Sequence, residues 1–143
     1  MRVVLDTNVL VAALITPHHP PDRVFQVWLA GAFTLVTSSE QLEEFRRVTR
    51  YPRLRPLIEP AAAGAMLNTL AAVAIVLKKL PAVDRSRDPG DNFVLAMAEA
   101  GEADYLVTGD RKDLLALKRH HRTHIVRVGE FLKALGLHQP KAK

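Results

Sequence analysis

The sequence predicts one α/β domain built around a mostly parallel sheet, and three observations support this prediction. Short apolar runs alternate along the chain with segments of helical periodicity. The first run, residues 3–5, leads through Asp6 into a second apolar run, as expected for a buried strand that feeds a helix. A later run, 103–107, leads in the same way to Asp110. Strands joined by helices pair in parallel, because each helix carries the chain back across the sheet.

The composition is that of a soluble globular protein. The chain has 143 residues, of which 48% are hydrophobic and 24% are charged, a size typical of one domain. We expect this domain to span 1–137 and a frayed basic tail to span 138–143. Because cysteine is absent, disulfides and thiolate metal sites are excluded. Asp6 and Asn8 interrupt any apolar signal core, and we expect a cytoplasmic protein without a membrane span.

The charge balance is basic. Lysine and arginine total 20 against 15 acidic residues, a net charge of +5. If several acids gather in one cleft, the remaining surface is more basic than this total, which favours a polyanionic partner. Plain solubility explains the same balance equally well.

Periodicity, caps and breakers predict the other elements. Residues 120–124 hold three histidines, and we expect a solvated basic loop there, since no HExxH-type spacing supports a metal site. Strands are expected over 33–36, 74–77 at a sheet edge, 103–107 and 125–128. Helices are expected over 8–15, from a cap at Asp22 to Gly31, from Ser38 (which fits a capping box with Gln41), over 61–72, from Asp91 to Gly101, over 111–117 and over 130–135.

Two adjacent glutamates lie on the helix that opens at residue 38, and helical geometry separates them. Leu42, Phe45 and Val48 form the apolar face of that helix. At about 100° per residue, Glu44 lies about 100° from the centre of this face and Glu43 about 160°. Glu44 therefore borders the core and can face a cleft, although a boundary salt bridge is the commoner role of such a residue.

Four carboxylates are expected at one edge of the sheet. Asp6 and Asp110 follow parallel strands, whose carboxyl ends bind ligands in open α/β sheets. Glu44 borders the core, and Asp91 shares a helix face with apolar residues. Carboxylates so close together need a cation, and Mg²⁺ or Mn²⁺ fits oxygen ligands and can serve phosphodiester hydrolysis. Simpler roles stay open: a helix cap is the alternative for Asp88 or Asp91, and also for Asp110.

The motifs around these acids resemble those of a known family. They are VLDTNVL at 4–10, EF at 44–45, RDPGD at 87–91 and YLVTGD at 105–110. Together they resemble the PIN-domain ribonucleases, and within them the VapC-like toxins of toxin–antitoxin pairs. The likeness covers about residues 1–135.

The resemblance implies a Rossmann-like fold and RNA cleavage with one or two Mg²⁺ or Mn²⁺ ions. It assigns the acidic quartet to Asp6, Glu44, Asp91 and Asp110, and adds Asp88 as a further candidate ligand. No position of the quartet is replaced, which favours an active enzyme.

The resemblance also implies supporting residues and partners. Asn8 and Thr108 match positions that support the acids through hydrogen bonds. The implied partners are an RNA substrate, a second copy in a homodimer, and an antitoxin that reaches the acidic cleft, often with an arginine. Arg87, Arg111 and Lys112 are candidates for phosphate binding, although each is more simply read as solvated surface charge.

Two other functions fit the sequence less well. An aspartate-nucleophile phosphatase of the haloacid-dehalogenase type needs a second aspartate two positions after Asp6, where this chain has Asn8. A non-catalytic RNA-binding module is disfavoured because clustered carboxylates repel RNA. Walker A, GxSxG and zinc-ligand spacings are absent from the sequence.

Overall fold

A six-stranded sheet forms the centre of the computed structural model, which describes residues 1–109 and 111–137. Its order is β3-β2-β1-β4-β6-β5, and all neighbours pair in parallel except β5 and β6. The predicted α/β fold with a mostly parallel sheet is thus confirmed. The strands are β1 (Arg2–Leu5), β2 (Thr34–Ser38), β3 (Ile75–Leu77), β4 (Tyr105–Thr108), β5 (Arg119–His120) and β6 (Thr123–Arg127).

Helices cover both faces of this sheet, as a parallel sheet requires. Strand residues alternate between two cores: Val3 and Leu5 pack on one face, and Val4 packs on the other. In the described chain the helices are α1 (Thr7–Ile15), α2 (Pro20–Leu29), α3 (Ser39–Val48), α4 (Pro60–Val73), α5 (Pro89–Ala100), α6 (Lys112–Leu117) and α7 (Val128–Ala134), with a 3₁₀ turn at Arg55–Leu57. Helix α5 packs against β1, β2 and β4, in the second core.

Helices α2, α5 and α7 begin before their expected starts, and the cap of α3 also differs from expectation. Helix α2 begins at Pro20, two residues before the expected cap at Asp22, because proline at the first position presets the helical φ and lacks only an unused N–H. Asp22 instead accepts a hydrogen bond from the backbone N–H of His18. The Ser38 hydroxyl caps α3 by accepting from the Gln41 N–H, but the Gln41 side chain turns towards the sheet instead of completing the capping box.

The solvated loop expected at 120–124 is wrong. Strands β5 and β6 form an antiparallel hairpin there, and His120 is only 4% exposed. His121, in the turn, has a φ of 51°. The partners of His120 are Glu99 and Arg85, which are distant in sequence, so no local pattern indicated its burial.

Helix α7 is the last element of the described residues. It ends at Ala134 and is followed by Gly136, whose φ of 77° is the left-handed conformation that glycine adopts without strain. Residues 138–143 lie outside the described residues, so the division into a domain of 1–137 and a basic tail stays a prediction. Within the described chain, every helix is too short or too polar to cross a membrane.

Candidate functional site

Asp6 lies at the carboxyl end of β1 and is fully buried, with 0% of its surface exposed. Its backbone N–H donates to the Val107 carbonyl, which ties it to the neighbouring strand β4. Its Oδ2 accepts from the Thr108 hydroxyl at 2.8 Å and from Arg111 Nε at 2.7 Å. Its Oδ1 is buried and has no hydrogen-bond partner within residues 1–109 and 111–137. One oxygen of a buried carboxylate is therefore uncompensated in this part of the chain, which is costly unless a cation binds it.

Two further aspartates come from the start of α5. Asp91 is 2% exposed, and its Oδ2 accepts from the Ser86 hydroxyl at 2.8 Å. Asp88 is the N-cap: its Oδ1 accepts from the Gly90 N–H at 2.8 Å. Asp88 is therefore the helix cap that the simpler role predicts, whereas the Asp91 side chain points into the protein.

Arg111 joins the three aspartates into one cluster. Besides Asp6, it contacts Asp91 Oδ1 at 3.2 Å and Asp88 Oδ2 at 3.5 Å, both through Nη1. Burial disfavours its charge, but attraction to Asp6 and Asp91 outweighs burial and raises the pKa of Arg111. The guanidinium fits closely over the start of α5, since a Cβ at Gly90 would lie 2.8 Å from Nη1. Arg111, expected on the RNA-binding surface, is thus the internal counter-ion of the acidic residues.

Glu44 reaches the same edge of the sheet from α3. It is half-buried and accepts a hydrogen bond from the hydroxyl of Thr7, the residue that follows Asp6. Glu43 is exposed. The structure therefore turns Glu44, and not Glu43, towards the cluster, in the direction that helical geometry predicts.

A buried polar network holds Thr7 in place. Gln41 donates through Nε2 to the Leu5 carbonyl at 2.7 Å and to the Thr7 hydroxyl at 3.3 Å. The Thr37 hydroxyl donates to Gln41 Oε1 at 2.6 Å. Because these groups are buried and paired, the network fixes the direction of the Thr7 hydroxyl.

The other predicted residues are distributed as follows. Thr108 contacts Asp6, as the resemblance implies. Asn8 is exposed, and its side chain has no partner in the described chain. Arg87 and Lys112 are both exposed. Arg87 directly precedes Asp88 in the sequence, and Lys112 directly follows Arg111. Asp110, the fourth acid of the quartet, lies outside the described residues.

Four polar residues of the site were not singled out from the sequence: Ser86, Thr7, Gln41 and Thr37. Thr7 lies inside the opening motif, and a hydroxyl beside Asp6 was a usable signal. Gln41 was assigned to a helix cap, which is the commoner use of glutamine at that position. Ser86 lies in an irregular loop, and only the folded structure brings it to Asp91.

The arrangement fits a divalent cation with oxygen ligands. It supplies carboxylate oxygens from β1, α3 and α5, and one of them, Asp6 Oδ1, is buried without a partner in the described chain. Mg²⁺ and Mn²⁺ bind such ligands, whereas the cluster contains no nitrogen or sulfur ligand that would favour a softer metal. The chemistry open to it is metal-assisted hydrolysis.

A family model and a relative each match most of this chain. The model of a family described as "PIN domain" matches residues 2–112, a span that includes Asp6, Glu44, Asp91 and Arg111. An uncharacterised protein of Methanocaldococcus jannaschii, MJ1680, is 27% identical over 123 residues, which cover 85% of this chain and 78% of that protein.

A solved structure shares the fold. It is the crystal structure of VapBC2 from Rickettsia felis bound to a DNA fragment from their promoter. The matched chain superposes with a TM-score of 0.56 at 18% identity, and the match covers 89% of this chain and 98% of that one. At this identity, the likeness concerns the fold.

Proposed function

This chain belongs to the PIN-domain family, and we propose that it is a metal-dependent endoribonuclease that hydrolyses RNA phosphodiester bonds. The observation that carries the proposal is the convergence of Asp6, Asp91 and Asp88 on a single guanidinium at the carboxyl edge of the sheet. Open α/β sheets bind their ligands at this edge.

The electrostatics of the cluster favour a divalent ion. Asp6 and Asp91 are buried carboxylates, and Arg111 supplies one positive charge against three negative ones. Buried charges that are incompletely paired destabilise a protein, so further positive charge is expected to bind. Asp6, Asp91 and Glu44 are the proposed ligands of Mg²⁺ or Mn²⁺, with Asp88 as a ligand of a second ion and Asp110 added by the resemblance.

Each proposed ligand is oriented by one hydroxyl. Thr108 donates to Asp6, Ser86 donates to Asp91, and Thr7 donates to Glu44. In each case the hydroxyl occupies one carboxylate oxygen. The other oxygen of Asp6 has no partner in the described chain, whereas the other oxygen of Asp91 contacts Arg111, which a metal would have to replace. Removal of a partner that orients a metal ligand in this way typically lowers metal affinity or activity by about 10–100-fold.

The roles of the chain's own residues follow from these contacts. A divalent ion held by these carboxylates would supply positive charge for activating a water and stabilising the leaving oxygen. Arg111 neutralises Asp6 and Asp91 in the metal-free protein, and its guanidinium would be available to an RNA phosphate if an ion took its place. The exposed Arg87 and Lys112 extend this positive surface.

Cleavage of a mixed RNA pool tests the proposal. We expect the purified chain to cut RNA with Mg²⁺ or Mn²⁺. EDTA is expected to stop this cleavage, and the Asp6→Asn variant is expected to be inactive. Asp104→Asn is the matched control, because Asp104 lies at the other end of β4 and pairs with Arg2 and Arg122. If the folded wild-type protein cuts RNA no faster than Asp6→Asn with either metal, the proposal is overturned. The non-catalytic RNA-binding module would then be the remaining hypothesis.

We further propose that the chain is the toxin of a toxin–antitoxin pair and acts in the cytoplasm. The support is its fold, which it shares with a chain of the VapBC2 structure, together with the sequence resemblance. Induced expression in a bacterial host is expected to arrest growth, and Asp6→Asn is expected to abolish the arrest. Normal growth during expression of a chain that cuts RNA in vitro would separate the nuclease from the toxin role. The resemblance also implies a homodimer. This stays a prediction, which light scattering can test.

A further inference from the structure

A second polar cluster lies at the other end of α5. It consists of Glu99, near the end of that helix, and of His120 and His121 from the β5–β6 hairpin. Glu99 Oε1 is 2.9 Å from His120 Nε2 and 3.0 Å from His121 Nε2. One nitrogen of each ring and one carboxylate oxygen all lie within 4.8 Å of one another. We call these three residues the histidine cluster.

The fold holds this cluster in place. Glu99 follows Asp91 by eight residues, about 12 Å along the helix, so the cluster is distinct from the acidic site. His120 is buried in β5, and His121 takes the left-handed conformation that turns its ring back towards Glu99. The two rings pack edge to face with centroids 4.6 Å apart.

We propose that the histidine cluster binds a divalent transition-metal ion of the Zn²⁺ class. Two imidazoles and one carboxylate are a ligand set that suits zinc, and three protein ligands leave a fourth position for water. Mg²⁺ prefers oxygen ligands and would favour the acidic site instead. This proposal is independent of the nuclease function.

Binding requires the three ligand atoms to adjust their spacing. Zinc bonds of about 2.0–2.2 Å in a tetrahedral site place the ligand atoms about 3.3 Å apart. The two contacts of Glu99, at 2.9 and 3.0 Å, would therefore widen by a few tenths of an ångström, and the two imidazole nitrogens, which lie within 4.8 Å of each other, would close to the same spacing. His121 is 64% exposed and borders an open cleft that also contacts Glu102 and Arg122, which gives an ion a path from solvent.

Arg85 opposes metal binding in the present arrangement. Its Nη1 lies 2.9 Å from His120 Nδ1, and because a guanidinium only donates, Nδ1 must accept. His120 Nε2 therefore carries the ring proton and donates it to Glu99. A metal at Nε2 would move that proton to Nδ1, where it would face Arg85. Arg85 must then turn away, and its removal should tighten binding.

The protonation state of His120 suits a ligand. Burial lowers the pKa of His120, although the hydrogen bond to Glu99 opposes this shift. The contact with Arg85 also requires Nδ1 to be unprotonated, so the ring is neutral in this arrangement, and a metal would only move its proton from Nε2 to Nδ1. The contact with Glu99 is accordingly a hydrogen bond between neutral imidazole and carboxylate, and not an ion pair.

Zn²⁺ titration calorimetry on the full chain, with saturating Mg²⁺ to occupy oxygen-ligand sites, tests the proposal. We expect Glu99→Gln and His121→Asn to weaken Zn²⁺ binding more than about tenfold, since losing a ligand exceeds losing an orienting partner. Asparagine is chosen at His121 because it tolerates positive φ. Arg85→Met should tighten binding several-fold.

The control is the other pair of adjacent histidines, His18 and His19. The double variant His18→Asn/His19→Asn should leave Zn²⁺ affinity unchanged, and asparagine is again chosen because His18 has a φ of 70°. Zn²⁺ should also raise the thermal midpoint of the wild type and of this control, but not of His121→Asn. Absence of Zn²⁺ binding by the folded wild type, or binding that Glu99→Gln and His121→Asn retain, would overturn the site. Unchanged affinity in Arg85→Met would overturn the role given to Arg85.

Discussion

The two ends of helix α5 carry two polar clusters with different chemistry. At its start, Asp91 joins Asp6 and Asp88, which offer only carboxylate oxygens. Near its end, Glu99 joins two imidazoles. Each cluster contains a deeply buried titratable side chain, and an arginine from elsewhere in the chain contacts each.

The difference lies in what each arginine does. Arg111 faces carboxylates, so it stabilises the metal-free protein and competes with a cation for the charge of Asp6 and for Oδ1 of Asp91. Arg85 faces a neutral imidazole and only selects its tautomer. Removing either arginine should favour metal binding, but only the loss of Arg111 should strongly destabilise the metal-free fold. Mg²⁺ and Mn²⁺ should also prefer the acidic cluster, and Zn²⁺ should prefer the histidine cluster.

Arg111→Met is the change with the largest expected effect. It leaves Asp6 and Asp91 buried without their counter-ion, which is expected to lower the free energy of unfolding by about 3–5 kcal/mol in EDTA. Mn²⁺ should restore much of this stability and should bind the variant more tightly than the wild type. Urea unfolding in EDTA and in Mn²⁺ measures both effects.

Arg85→Met is the matched control for that experiment. Arg85 has an exposed side chain, and its loss should change the unfolding free energy in EDTA far less. Weaker Mn²⁺ binding by Arg111→Met would contradict the comparison, because it would mean that Arg111 positions the carboxylates instead of competing for them.

Thr7→Val tests the hydroxyl that orients Glu44. Valine keeps the shape of threonine but removes the donor to Glu44 and the acceptor for Gln41. We expect Mn²⁺ affinity to fall about 10–100-fold, since Glu44 loses its orienting partner. Zn²⁺ binding at the histidine cluster should not change.

The control for Thr7→Val is Thr69→Val on α4, whose hydroxyl only bonds back to the Ala65 carbonyl. Equal loss of Mn²⁺ affinity in both variants would show that the effect is not specific to Glu44. Calorimetric titration of each variant with each metal gives the comparison.

Gly90→Ala displaces Arg111 without removing any charge. The new Cβ would lie 2.8 Å from Arg111 Nη1, the end of a flexible side chain, so the arginine is expected to move and the fold to tolerate the change. Mn²⁺ affinity should rise a few-fold, less than in Arg111→Met. Unchanged or lower affinity would show that Arg111 keeps its contacts or that Asp88 is disturbed.

Asp104 gives the smallest effect and serves as a carboxylate outside both clusters. The backbone N–H of Arg2, and then Arg122, lower the pKa of Asp104 below its ordinary value of 3.8. A lowered carboxyl pKa stabilises the fold above the unfolded-state value, and this stabilisation is lost as pH falls through the folded-state pKa. Because Asp104 is partly exposed, the contribution is under about 1 kcal/mol.

Urea unfolding of Asp104→Asn and wild type across the acid range checks this expectation. The two proteins should differ slightly near neutral pH and converge once Asp104 is protonated. A difference that grows as the pH falls would contradict the assigned direction of the pKa shift.

The acidic site could largely be located from the sequence because local rules specify its parts. Strand ends place Asp6, helical angle separates Glu44 from Glu43, and shared-face spacing turns Asp91 inward. The parallel pairing of most strands was also predictable, since helices between strands require it. Only the roles of these residues await the experiments above.

The histidine cluster and both arginines could not be located in this way. His120 meets Glu99 across 21 residues, and Arg111 meets Asp6 across 105, so neither contact leaves a local pattern. His121 has a positive φ in the hairpin turn, and a histidine in a sequence does not indicate that conformation. A basic stretch of histidines was therefore interpreted as a solvated loop.

Anomalous diffraction from crystals grown with Mn²⁺ tests the central claim most directly. The acidic cluster is predicted to bind Mn²⁺ through Asp6 Oδ1 and Asp91, with Arg111 turned away from Asp6. No Mn²⁺ signal at saturating concentration, with Arg111 still bonded to Asp6, would contradict the claim that these carboxylates form a metal site.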